Sequence, residues 1–502
     1  MRTKRVIGMA LLMTLAAMGV GMGCSSSDGE EVGGDPSTDV DSGTGHDAGS
    51  GEDDGGFEKD AGNDADVGDD GGLVDDAGDA GDDDAGDADA GDDGGSEASG
   101  WSKAYPAGFQ VHRTLIDGEG NIVIVGNLWQ EVDFGQGPLA PIHPDGFASF
   151  IAKFDGNGNA LWSRTLAFAE LNELFTRIAI DDANDIFVAG SFRDTIDLGG
   201  DELESAGGVD VFLAKLASDG THVFSKSFGG EEDDQVGDMA MDADGNLVLT
   251  GWFEKKLSFG GDDLVSTGFF NGYVAKLTSE GGHVFSKAFG VGGAQTGDGV
   301  AVGPGGEIVV VGGLIAGEIG CQGKTYEPED GKGYVMKLAP NGECSWLTQR
   351  DLSPWRVVID DLGNVFGNGA SSLVKLDGDG KVLWQKRFEG TGDFTDAFVV
   401  EGAGNAAVCG DFFGDLGIDG DVVHSAADDD EHGGFVFFFD PSGALREATI
   451  MTATKRAACH SIAYSTADDL YVLWGQSAGE IDLGHGPLEG DVVFGAKLKL
   501  LP

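Results

Sequence analysis

A repeated unit constrains this chain more than any other feature of its sequence. A strand-like segment ending in Ala-Lys-Leu or a close variant returns at spacings of 62, 61, 61, 38, 63 and 59 residues. Its landmark position is occupied by Lys153, Lys215, Lys276, Lys337, Lys375, Phe438 and Lys497. Self-similarity at a nearly fixed period has to be interpreted first, because one supersecondary unit copied along a chain determines the fold.

Each copy carries four strand signals, which we name a to d. In the third copy they are Met239–Met241, Leu247–Phe253, Tyr273–Leu277 and His283–Phe289. An Asp-x-x-Gly-Asn turn at Asp242–Asn246 separates the first two, and a long Gly-rich connection separates b from c. Short β-prone runs bounded by Gly, Asp and Asn predict strands, and no useful window of helical periodicity appears.

The copy number and the chain ends predict an all-β fold, a seven-bladed β-propeller of four-stranded antiparallel blades. The last copy stops after its strand c, whereas the folded region begins with an unpaired strand d at Trp101–Tyr105. We therefore expect the N-terminal strand to complete the last blade and remove the open sheet edges. The fifth copy lacks its b–c connection, and Asn368-Gly369 is the expected two-residue turn.

Residues 1–24 have the pattern of a signal peptide, with a basic start and an apolar stretch ending in Gly-Met-Gly-Cys. This ending resembles a bacterial lipoprotein signal, which implies lipidation of Cys24, for example by palmitate, and a membrane anchor. Gly21 stands where that family prefers leucine, and ordinary cleavage with a free Cys24 is the alternative. Ser25 follows the cysteine, which in such lipoproteins favours the outer membrane, on its periplasmic or cell-surface side.

Residues 25–100 differ in composition from the rest of the chain. They hold 27 acidic residues against the single base Lys59, and aromatic residues are nearly absent. Such a segment cannot bury enough apolar surface to offset its ordering entropy. We predict a disordered acidic tether, with weak Ca²⁺ binding by its carboxylates as the alternative role and no other cofactor expected. The net charge of −58 excludes a nucleic-acid partner.

The repeat also resembles a known family. Its elements are a Gly-Asn turn, a Val-x-Gly-x-Phe strand, the Gly-x-Asp-x-Phe-x-Ala-Lys strand seen at Gly208–Lys215, and a Trp-Ser-Lys strand. Over most of residues 101–502 this pattern resembles the bacterial seven-bladed β-propeller repeat of cell-surface proteins. The resemblance implies a propeller and an envelope location, but no activity. Asp155–Trp162 and Asp377–Trp384 also resemble tryptophan-docked quinoprotein blades, which would imply a quinone-dependent dehydrogenase.

Two columns of variable polar residues enter strand a, at the face where the channel of a propeller opens. The candidate ligand-binding residues are His112, Arg113, Arg177, Asp238, Asp298, Arg356, Asp396 and His460. Guanidinium groups suit carboxylate or sulfate groups of a ligand. The alternative is a ring of mutually satisfied salt bridges, with the two histidines solvated in loops.

Few sequence motifs point to catalysis or metal binding. The chain has no His-Glu-x-x-His and no phosphate-loop glycine pattern. Asp155 and Asp377 begin runs that imitate a calcium loop, but Leu166 and Phe388 occupy the twelfth position, where a bidentate acid is required. These runs therefore predict β-turns, and we assign no catalytic and no metal-binding residue.

Four cysteines in an exported body permit disulfides, with three possible pairings. Cys321 and Cys344 are expected at opposite rims of the fourth blade, which argues against that pair. Cys409 lies in a core strand and is expected to be a buried thiol. The partner of Cys459 is left open.

These features together predict a monomeric, envelope-anchored lipoprotein. Its propeller would bind or scaffold an envelope protein or glycan through its loop face. The alternative is an envelope enzyme that acts on polysaccharide at the channel mouth. A quinone-dependent dehydrogenase is a third hypothesis.

Overall fold

A computed structural model describes residues 100–141, 147–168, 176–329, 332–350, 356–369, 371–391, 397–402, 404–426 and 432–499. The contacts divide the chain into Met1–Gly95 and Ser96–Pro502. The expected signal peptide (1–24) with Cys24, and nearly all of the expected tether (25–100), lie outside the described residues. The described residues form strands and no helix, which confirms the all-β class. None of them therefore belongs to an apolar helix that could cross a bilayer.

The strands form seven successive units, numbered as the copies in the sequence. In units 1 to 3 and the strand before them they are β1 (Trp101–Pro106), β2 (Phe109–Ile116), β3 (Ile122–Leu128), β4 (Val132–Asp133), β5 (Pro138–Leu139), β6 (Ala148–Phe154), β7 (Ala160–Phe168), β8 (Arg177–Ile180), β9 (Ile186–Asp197), β10 (Leu203–Leu216), β11 (His222–Phe228), β12 (Asp234–Met241), β13 (Leu247–Phe253), β14 (Lys256–Leu257), β15 (Leu264–Val265), β16 (Asn271–Leu277) and β17 (His283–Phe289). In units 4 to 7 they are β18 (Val291–Gln295), β19 (Gly299–Val302), β20 (Ile308–Cys321), β21 (Lys324–Tyr326), β22 (Gly333–Leu338), β23 (Cys344–Arg350), β24 (Arg356–Ile359), β25 (Val365–Gly369), β26 (Ser372–Leu376), β27 (Val382–Thr391), β28 (Ala397–Glu401), β29 (Asn405–Ile418), β30 (Asp421–His424), β31 (His432–Phe439), β32 (Leu445–Thr452), β33 (Arg456–Ser465), β34 (Leu470–Ala478), β35 (Ile481–Asp482), β36 (Pro487–Leu488) and β37 (Val492–Leu498).

Strands a, b, c and d of a unit are neighbours in an antiparallel ladder. In unit 3 the order is β12, β13, β16, β17. The bounds of β13 and β17 are those expected from the sequence, whereas β12 and β16 begin earlier. The a–b turn closes because Asp242 Oδ1 accepts hydrogen bonds from the backbone N–H groups of Asp244 and Asn246, at 3.0 and 2.8 Å.

The recurring lysine of strand c pairs with an acid of the a–b turn. In unit 1, Lys153 Nζ lies 2.9 Å from Asp117 Oδ2, and both side chains are almost completely buried. The corresponding pairs are Lys215–Asp181, Lys276–Asp242, Lys337–Glu307, Lys375–Asp360 and Lys497–Asp468. The strand-c lysine therefore neutralises an acid at the a–b turn of its own unit, which explains why the lysine and the turn acid recur together.

Unit 6 departs from this arrangement. Phe438 replaces the lysine, and Glu401 occupies the place of the turn acid. Within the described part of the chain, Glu401 Oε1 is buried without a hydrogen-bond partner. Burial, together with the nearby charge of Asp469, raises the pKa of Glu401 to about 7.

The hydrophobic core lies between neighbouring units rather than inside single ones. Among the described residues, seven clusters of buried apolar side chains each join two consecutive units. The cluster that joins units 7 and 1 contains Trp474, Val493, Phe109 and Phe150. The a-strands contact one another in the same order, β2, β8, β12, β19, β24, β28 and β33, and β33 contacts β2. β1 pairs antiparallel with β37, with Trp101 opposite Lys497.

Strand-d tryptophans add contacts between units. Trp384 Nε1 donates to the carbonyl oxygen of Pro441, in the c–d turn of the next unit, at 3.1 Å. Its ring covers Gly443, where an added Cβ would lie 2.7 Å from Trp384 Cγ. The corresponding bonds are Trp101 to Gly156, Trp162 to Ser218, and Trp346 to Gly378. The Asp-x-x-Gly-x-x-x-Trp pattern thus marks docking between units.

The b–c connections contain ordered hairpins, which the sequence analysis treated only as Gly-rich segments. In unit 4, β20 continues beyond its pairing with β22 and turns into β21 at Cys321. Cys321 forms a disulfide with Cys344, with the Cα atoms 5.5 Å apart. The argument against this pair is wrong, because the hairpin returns along the outer edge of the unit to the end where β23 begins.

The second disulfide joins units 6 and 7. Cys409 of β29 is bonded to Cys459 of β33, with the Cα atoms 5.7 Å apart. The expectation of a buried thiol at Cys409 is therefore wrong. Its side chain faces the a-strand of the next unit, and a cysteine stands at the matching position there.

The short b–c turn of unit 5 is displaced from its expected place. Asn368 and Gly369 lie within β25, opposite Leu373 and Ser372 of β26. Gly369 is paired with Ser372, so the expected turn at Asn368-Gly369 is wrong: both residues belong to the ladder. Asn368 instead accepts a hydrogen bond from the backbone N–H of Arg356, at 3.2 Å, in the neighbouring a-strand.

Candidate functional site

β-Bulges position the first column of candidate residues. β2, β12 and β33 each shift register at the same point of strand a, and the extra residues are His112, Gly237 and His460. A bulge leaves one residue outside the ladder and redirects neighbouring side chains. The columns thus lie at or beside the a-strands, and in these three units they lie inside the strands.

Three candidates from three units converge. Arg113 Nη1 lies 2.6 Å from Asp238 Oδ1, and Arg177 Nε lies 3.7 Å from the same oxygen. Arg177 Nε also donates to the carbonyl of Gly237 at 2.6 Å. Asp238 Oδ2 accepts from the backbone N–H of Val300 at 3.2 Å. The cluster links the a-strands of units 1, 2, 3 and 4.

The cluster holds Asp238 in its charged form. Burial alone disfavours that charge, but Arg113 and Arg177 outweigh the effect, and the pKa of Asp238 is lowered. The Asp238 side chain is only 5% exposed, whereas those of Arg113 and Arg177 are 19% and 23% exposed. The carboxylate is therefore sealed behind two guanidinium groups that retain access to solvent.

Arg113 keeps donor capacity beyond this pair. Its Nε is buried and has no hydrogen-bond partner among the described residues. A guanidinium carries five N–H donors in a fixed fork. One edge of the fork contacts Asp238, so the buried Nε is a polar group that the described protein atoms leave unmatched.

Two further candidates have shifted acidities beside Arg177. Burial raises the pKa of Asp298 to about 6, although the Thr296 hydroxyl, Arg177 and the Gly313 N–H act in the opposite direction. Burial and the charge of Arg177 lower the pKa of His112 to about 4. At neutral pH His112 is therefore uncharged, and Asp298 titrates just below neutrality.

The remaining candidates make other contacts or fall outside the described residues. His460 Nδ1 is 3.5 Å from Gln110 Nε2, across the junction of units 7 and 1. Arg356 contacts Asn368 through its backbone, as described above. Asp396 falls outside the described residues. The structure brings together Arg113, Arg177 and Asp238, with His112 and Asp298 close enough to Arg177 to be affected by its charge.

Sequence reasoning missed two hydroxyl contacts between neighbouring units. Thr114 Oγ1 lies 2.8 Å from Ser461 Oγ, and both side chains are buried where units 1 and 7 meet. Thr176 Oγ1 donates to Ser149 Oγ at 3.4 Å. Ser461 and Thr176 stood in the aligned columns but were passed over in favour of charged residues. The sequence signal that could have revealed them is a Ser or Thr at the aligned position next to the apolar residues of strand a.

The two calcium-like runs form turns. Asp155 Oδ1 accepts from the backbone N–H groups of Asn157 and Asn159 at 2.9 and 2.8 Å, and Asp377 makes the same contacts with Asp379 and Lys381. These carboxylates are occupied by their own turns, in agreement with the β-turn prediction. Within the described ranges, no group of three or more His, Cys, Asp or Glu side chains is placed to hold a metal ion.

A cleft of about 380 Å³ lies elsewhere, at the outer edge of units 4 and 5. Cys321, Tyr326, Trp346 and Gly380 contribute to its lining. None of the candidate residues lines it. The cleft follows from the hairpin that folds back over β23, and the charged residues in its lining are Lys324, Asp379 and Lys381.

Comparisons with known proteins add little to this geometry. No family model matches the chain, and no curated protein matches its sequence. Among solved structures, a streptogramin B lyase is similar at 9% identity and a TM-score of 0.41, over 79% of this chain and 97% of that one. The WD40 domain of Neurospora crassa Pan2 is similar at 10% identity and a TM-score of 0.33, over 64% and 88%. At these values, what those proteins do carries no argument for this chain.

Proposed function

We propose that residues 101–502 form a seven-bladed β-propeller in which each unit is one four-stranded blade. Three observations support this architecture. The a-strands contact one another in a closed series, the apolar clusters join consecutive units including units 7 and 1, and β1 adds a fourth strand to the sheet of unit 7. In this arrangement the a-strands surround the channel, and the Arg113–Arg177–Asp238 cluster lies in its wall.

We propose that the chain is an outer-membrane lipoprotein anchored through Cys24. The basic start, apolar stretch and terminal cysteine of residues 1–24 support this assignment. The acidic composition of residues 25–100 supports a tether between the anchor and the propeller. Metabolic labelling with a palmitate analogue tests the anchor: wild type should incorporate label and Cys24→Ala should not.

We propose that the propeller binds a polar envelope partner, a protein or a glycan, through the channel face that carries these arginines. The observation that carries this proposal is the unmatched Nε of Arg113, on a guanidinium already fixed by Asp238. A donor held in place before binding loses little conformational freedom when a partner acceptor arrives. A carboxylate, sulfate or carbonyl oxygen of the partner is the expected acceptor.

The test is capture from solubilised envelope of the source cell by the immobilised full chain. Arg113→Lys is the informative variant, because it preserves the charge beside Asp238 but removes the fork and its Nε donor. Arg446→Lys is the matched control, since Arg446 is 64% exposed and pairs with Asp440 in a turn. The expected result is a stoichiometric protein or glycan held by wild type and Arg446→Lys and lost by Arg113→Lys.

Retention of the same partner by Arg113→Lys would contradict the assignment of the face. Capture of nothing by any form would contradict the binding role.

A second candidate function is an envelope enzyme that acts on polysaccharide. Asp298 favours it, because a carboxyl group with a pKa of about 6 beside an arginine suits general acid catalysis. If this reading is right, envelope glycan incubated with wild type is shortened, and Asp298→Asn abolishes the shortening while folding is retained. Intact glycan after incubation with wild type would exclude it.

A further inference from the structure

A pair of buried carboxyl groups lies where units 2 and 3 meet, away from the candidate site. Asp210 belongs to β10, and Asp234 is the first residue of β12. They are 1% and 0% exposed. Both carboxylate oxygens of Asp234, and Oδ1 of Asp210, accept no hydrogen bond from the described residues. Burying unpaired negative charge costs a large free energy, so this junction needs either a proton or a cation to compensate it.

The next junction shows what these positions hold when the protein alone satisfies them. Sixty-one residues further along the chain, Asn271 and Gln295 occupy the equivalent places, and both are buried. Asn271 Nδ2 donates to Gln295 Oε1. The surrounding backbone is alike, since the N–H of Thr267 donates to Asn271 Oδ1 at 2.7 Å and that of Ala206 donates to Asp210 Oδ2 at 2.5 Å.

The main difference between the two junctions is that two facing acids replace a direct side-chain hydrogen bond. The neighbouring tyrosines repeat the difference. Tyr334 donates from its hydroxyl to the carbonyl of Thr296 at 2.6 Å, whereas the equivalent hydroxyl of Tyr273 is buried without a partner among the described residues. Asp234 raises the pKa of Tyr273 further above the level set by burial, so the phenol lies within range of the carboxyl pair.

The surroundings add negative charge. The charge of Asp233 acts on both members of the pair, and burial with the charges of Asp233 and Glu232 raises the pKa of Glu254. Basic side chains reach only the outer acids, with Arg193 bound to Asp233 and Lys255 bound to Glu232. Among the described residues, no lysine or arginine forms an ion pair with Asp210 or Asp234.

These surroundings raise the pKa values of the two buried acids, Asp210 and Asp234. Burial, followed by the charge of Asp210, raises the pKa of Asp234 to about 8. The amide groups of Gly230 and Glu254 offset part of this rise, although neither reaches the geometry of a full hydrogen bond.

Glycines bring backbone close to both acids. A Cβ on Gly229 would lie 2.0 Å from Asp210 Oδ1. A Cβ on Gly230 would lie 3.6 Å from Asp234 Oδ2 and 2.0 Å from the carbonyl oxygen of Lys256. The two carboxyl groups thus flank one glycine pair, with a backbone carbonyl in the same space. Larger residues at these positions would separate the groups.

We propose that Asp210 and Asp234 bind a divalent cation of the calcium class and that this ion joins units 2 and 3. Ca²⁺ is held by carboxylate and carbonyl oxygens, and two acids with backbone oxygens supply that chemistry. A proton shared by the pair would satisfy at most two of the three unmatched oxygens and would leave the surrounding excess of acids uncompensated. The cation takes the place that the amide hydrogen bond of Asn271 and Gln295 fills in the next junction.

The experiment measures the thermal unfolding midpoint of the full chain at pH 7.5, in millimolar CaCl₂ and in EDTA. Asp210→Asn/Asp234→Gln copies the neighbouring junction into this one, so it should fold without the ion. Asp244→Asn/Asp262→Gln removes the same number of charges from exposed positions of unit 3. Residues 25–100 are identical in all forms, so any calcium bound there cancels in the comparison.

We expect CaCl₂ to raise the midpoint by roughly 3 °C in wild type and in the exposed double variant. The Asp210→Asn/Asp234→Gln variant should show no calcium response, and its midpoint in EDTA should exceed that of wild type. If circular dichroism shows that this variant fails to fold, Asp234→Asn replaces it, with at least a ten-fold loss in calcium affinity expected.

Two results would overturn the proposal. One is an equal calcium response in wild type and in Asp210→Asn/Asp234→Gln. The other is a wild type that ignores calcium but gains stability as the pH falls from 8 towards 5, with that gain abolished in the variant, because the pair would then hold a proton.

Discussion

The buried lysine–acid pairs define what single residues contribute. Lys375 and Asp360 are 3% and 0% exposed in their side chains, with Nζ 3.2 Å from Oδ2. Lys375→Met leaves the aspartate charged and buried, and we expect it to lower the unfolding free energy by about 3–5 kcal/mol. Urea unfolding of wild type and variant measures this.

Lys381→Met is the control for that substitution, because Lys381 is exposed in the adjacent c–d turn. It should change stability by less than about 0.5 kcal/mol. Adding Asp360→Asn to Lys375→Met should recover part of the loss, since the uncompensated charge is then removed. Equal losses for the two lysines would show that the ion pair contributes nothing.

Glu401 should make stability depend on pH in a defined direction. Its pKa in the folded chain is about 7, above the ordinary 4.5, so the folded state binds the proton more tightly than the unfolded state. Its effect on stability is therefore most favourable below pH 4.5 and is lost as the pH rises from 4.5 to 7. Glu401→Gln should remove this component, which shows in the difference between unfolding free energies of wild type and variant across that range.

If the difference between wild type and Glu401→Gln is constant from pH 4.5 to 7.5, the assignment of this pKa is wrong. Where six units place a lysine, unit 6 has Phe438, and the acid opposite it is left without its usual partner.

The candidate site shows how far residues can be predicted one by one. Aligning the units identified Arg113, Arg177 and Asp238 as neighbours around a common face. It did not identify which would pair, because Arg113 and Asp238 are 125 positions apart and their contact depends on bulges in β2 and β12. A bulge inserts one residue without leaving a marked sequence signal, so the alternation of strand a did not reveal it.

At the scale of elements, the contribution of tryptophan docking to stability can be measured separately from the backbone cost of replacing a glycine. Gly443 has φ +82° and faces the Trp384 ring, whereas Gly420 has φ +90° and an added Cβ there would have no atom within 4 Å. Alanine at either position meets the same backbone penalty, about 1–2 kcal/mol. Gly443→Ala should cost more than Gly420→Ala by the loss of ring packing and of the Trp384–Pro441 bond, which urea unfolding of both variants resolves.

Equal costs at Gly443 and Gly420 would mean that the docked ring contributes nothing to the junction. Trp384→Phe then offers an independent measurement. It keeps an aromatic ring over the glycine but removes the Nε1 donor, with an expected loss of about 1 kcal/mol.

The strands of the repeat could be predicted because their signals are local. β13 and β17 begin and end where their β-prone runs do. The b–c hairpins could not be predicted from the same reasoning, since pieces such as β14 and β15 have two residues each and are held by packing over strand d. The Cys321–Cys344 disulfide depends on that packing, which explains why sequence position misled the expectation about it.

At the scale of the whole molecule, the pairing of β1 with β37 joins the two ends of the folded part. Lys103 lies opposite Gly495, and Lys226 holds the equivalent place in β11, opposite Leu213. Lys103→Pro and Lys226→Pro therefore disturb matched outer strands. Lys226→Pro should fray one sheet, whereas Lys103→Pro should release β1, lower the unfolding midpoint further and expose residues 101–106 to protease.

Comparable midpoints and cleavage patterns for the two proline variants would contradict a special role for β1. The difference is expected because a short turn joins β11 to β10, the neighbouring strand of its own unit. β1 is held on the sheet of unit 7 by its pairing with β37, and its Trp101 side chain bonds to Gly156 of unit 1.

The pairing of Trp101 with Lys497 also has a consequence in time. The first strand of the folded part is made long before its partner, and at about 5–20 residues per second the delay is on the order of 20 to 80 s. During that delay β1 has no partner strand and could pair with a strand of another chain. Lys103 and Pro106 are residue types that discourage stray strand pairing. The six residues of β1 therefore combine pairing with β37 in the finished fold with protection against wrong pairing before β37 has been made.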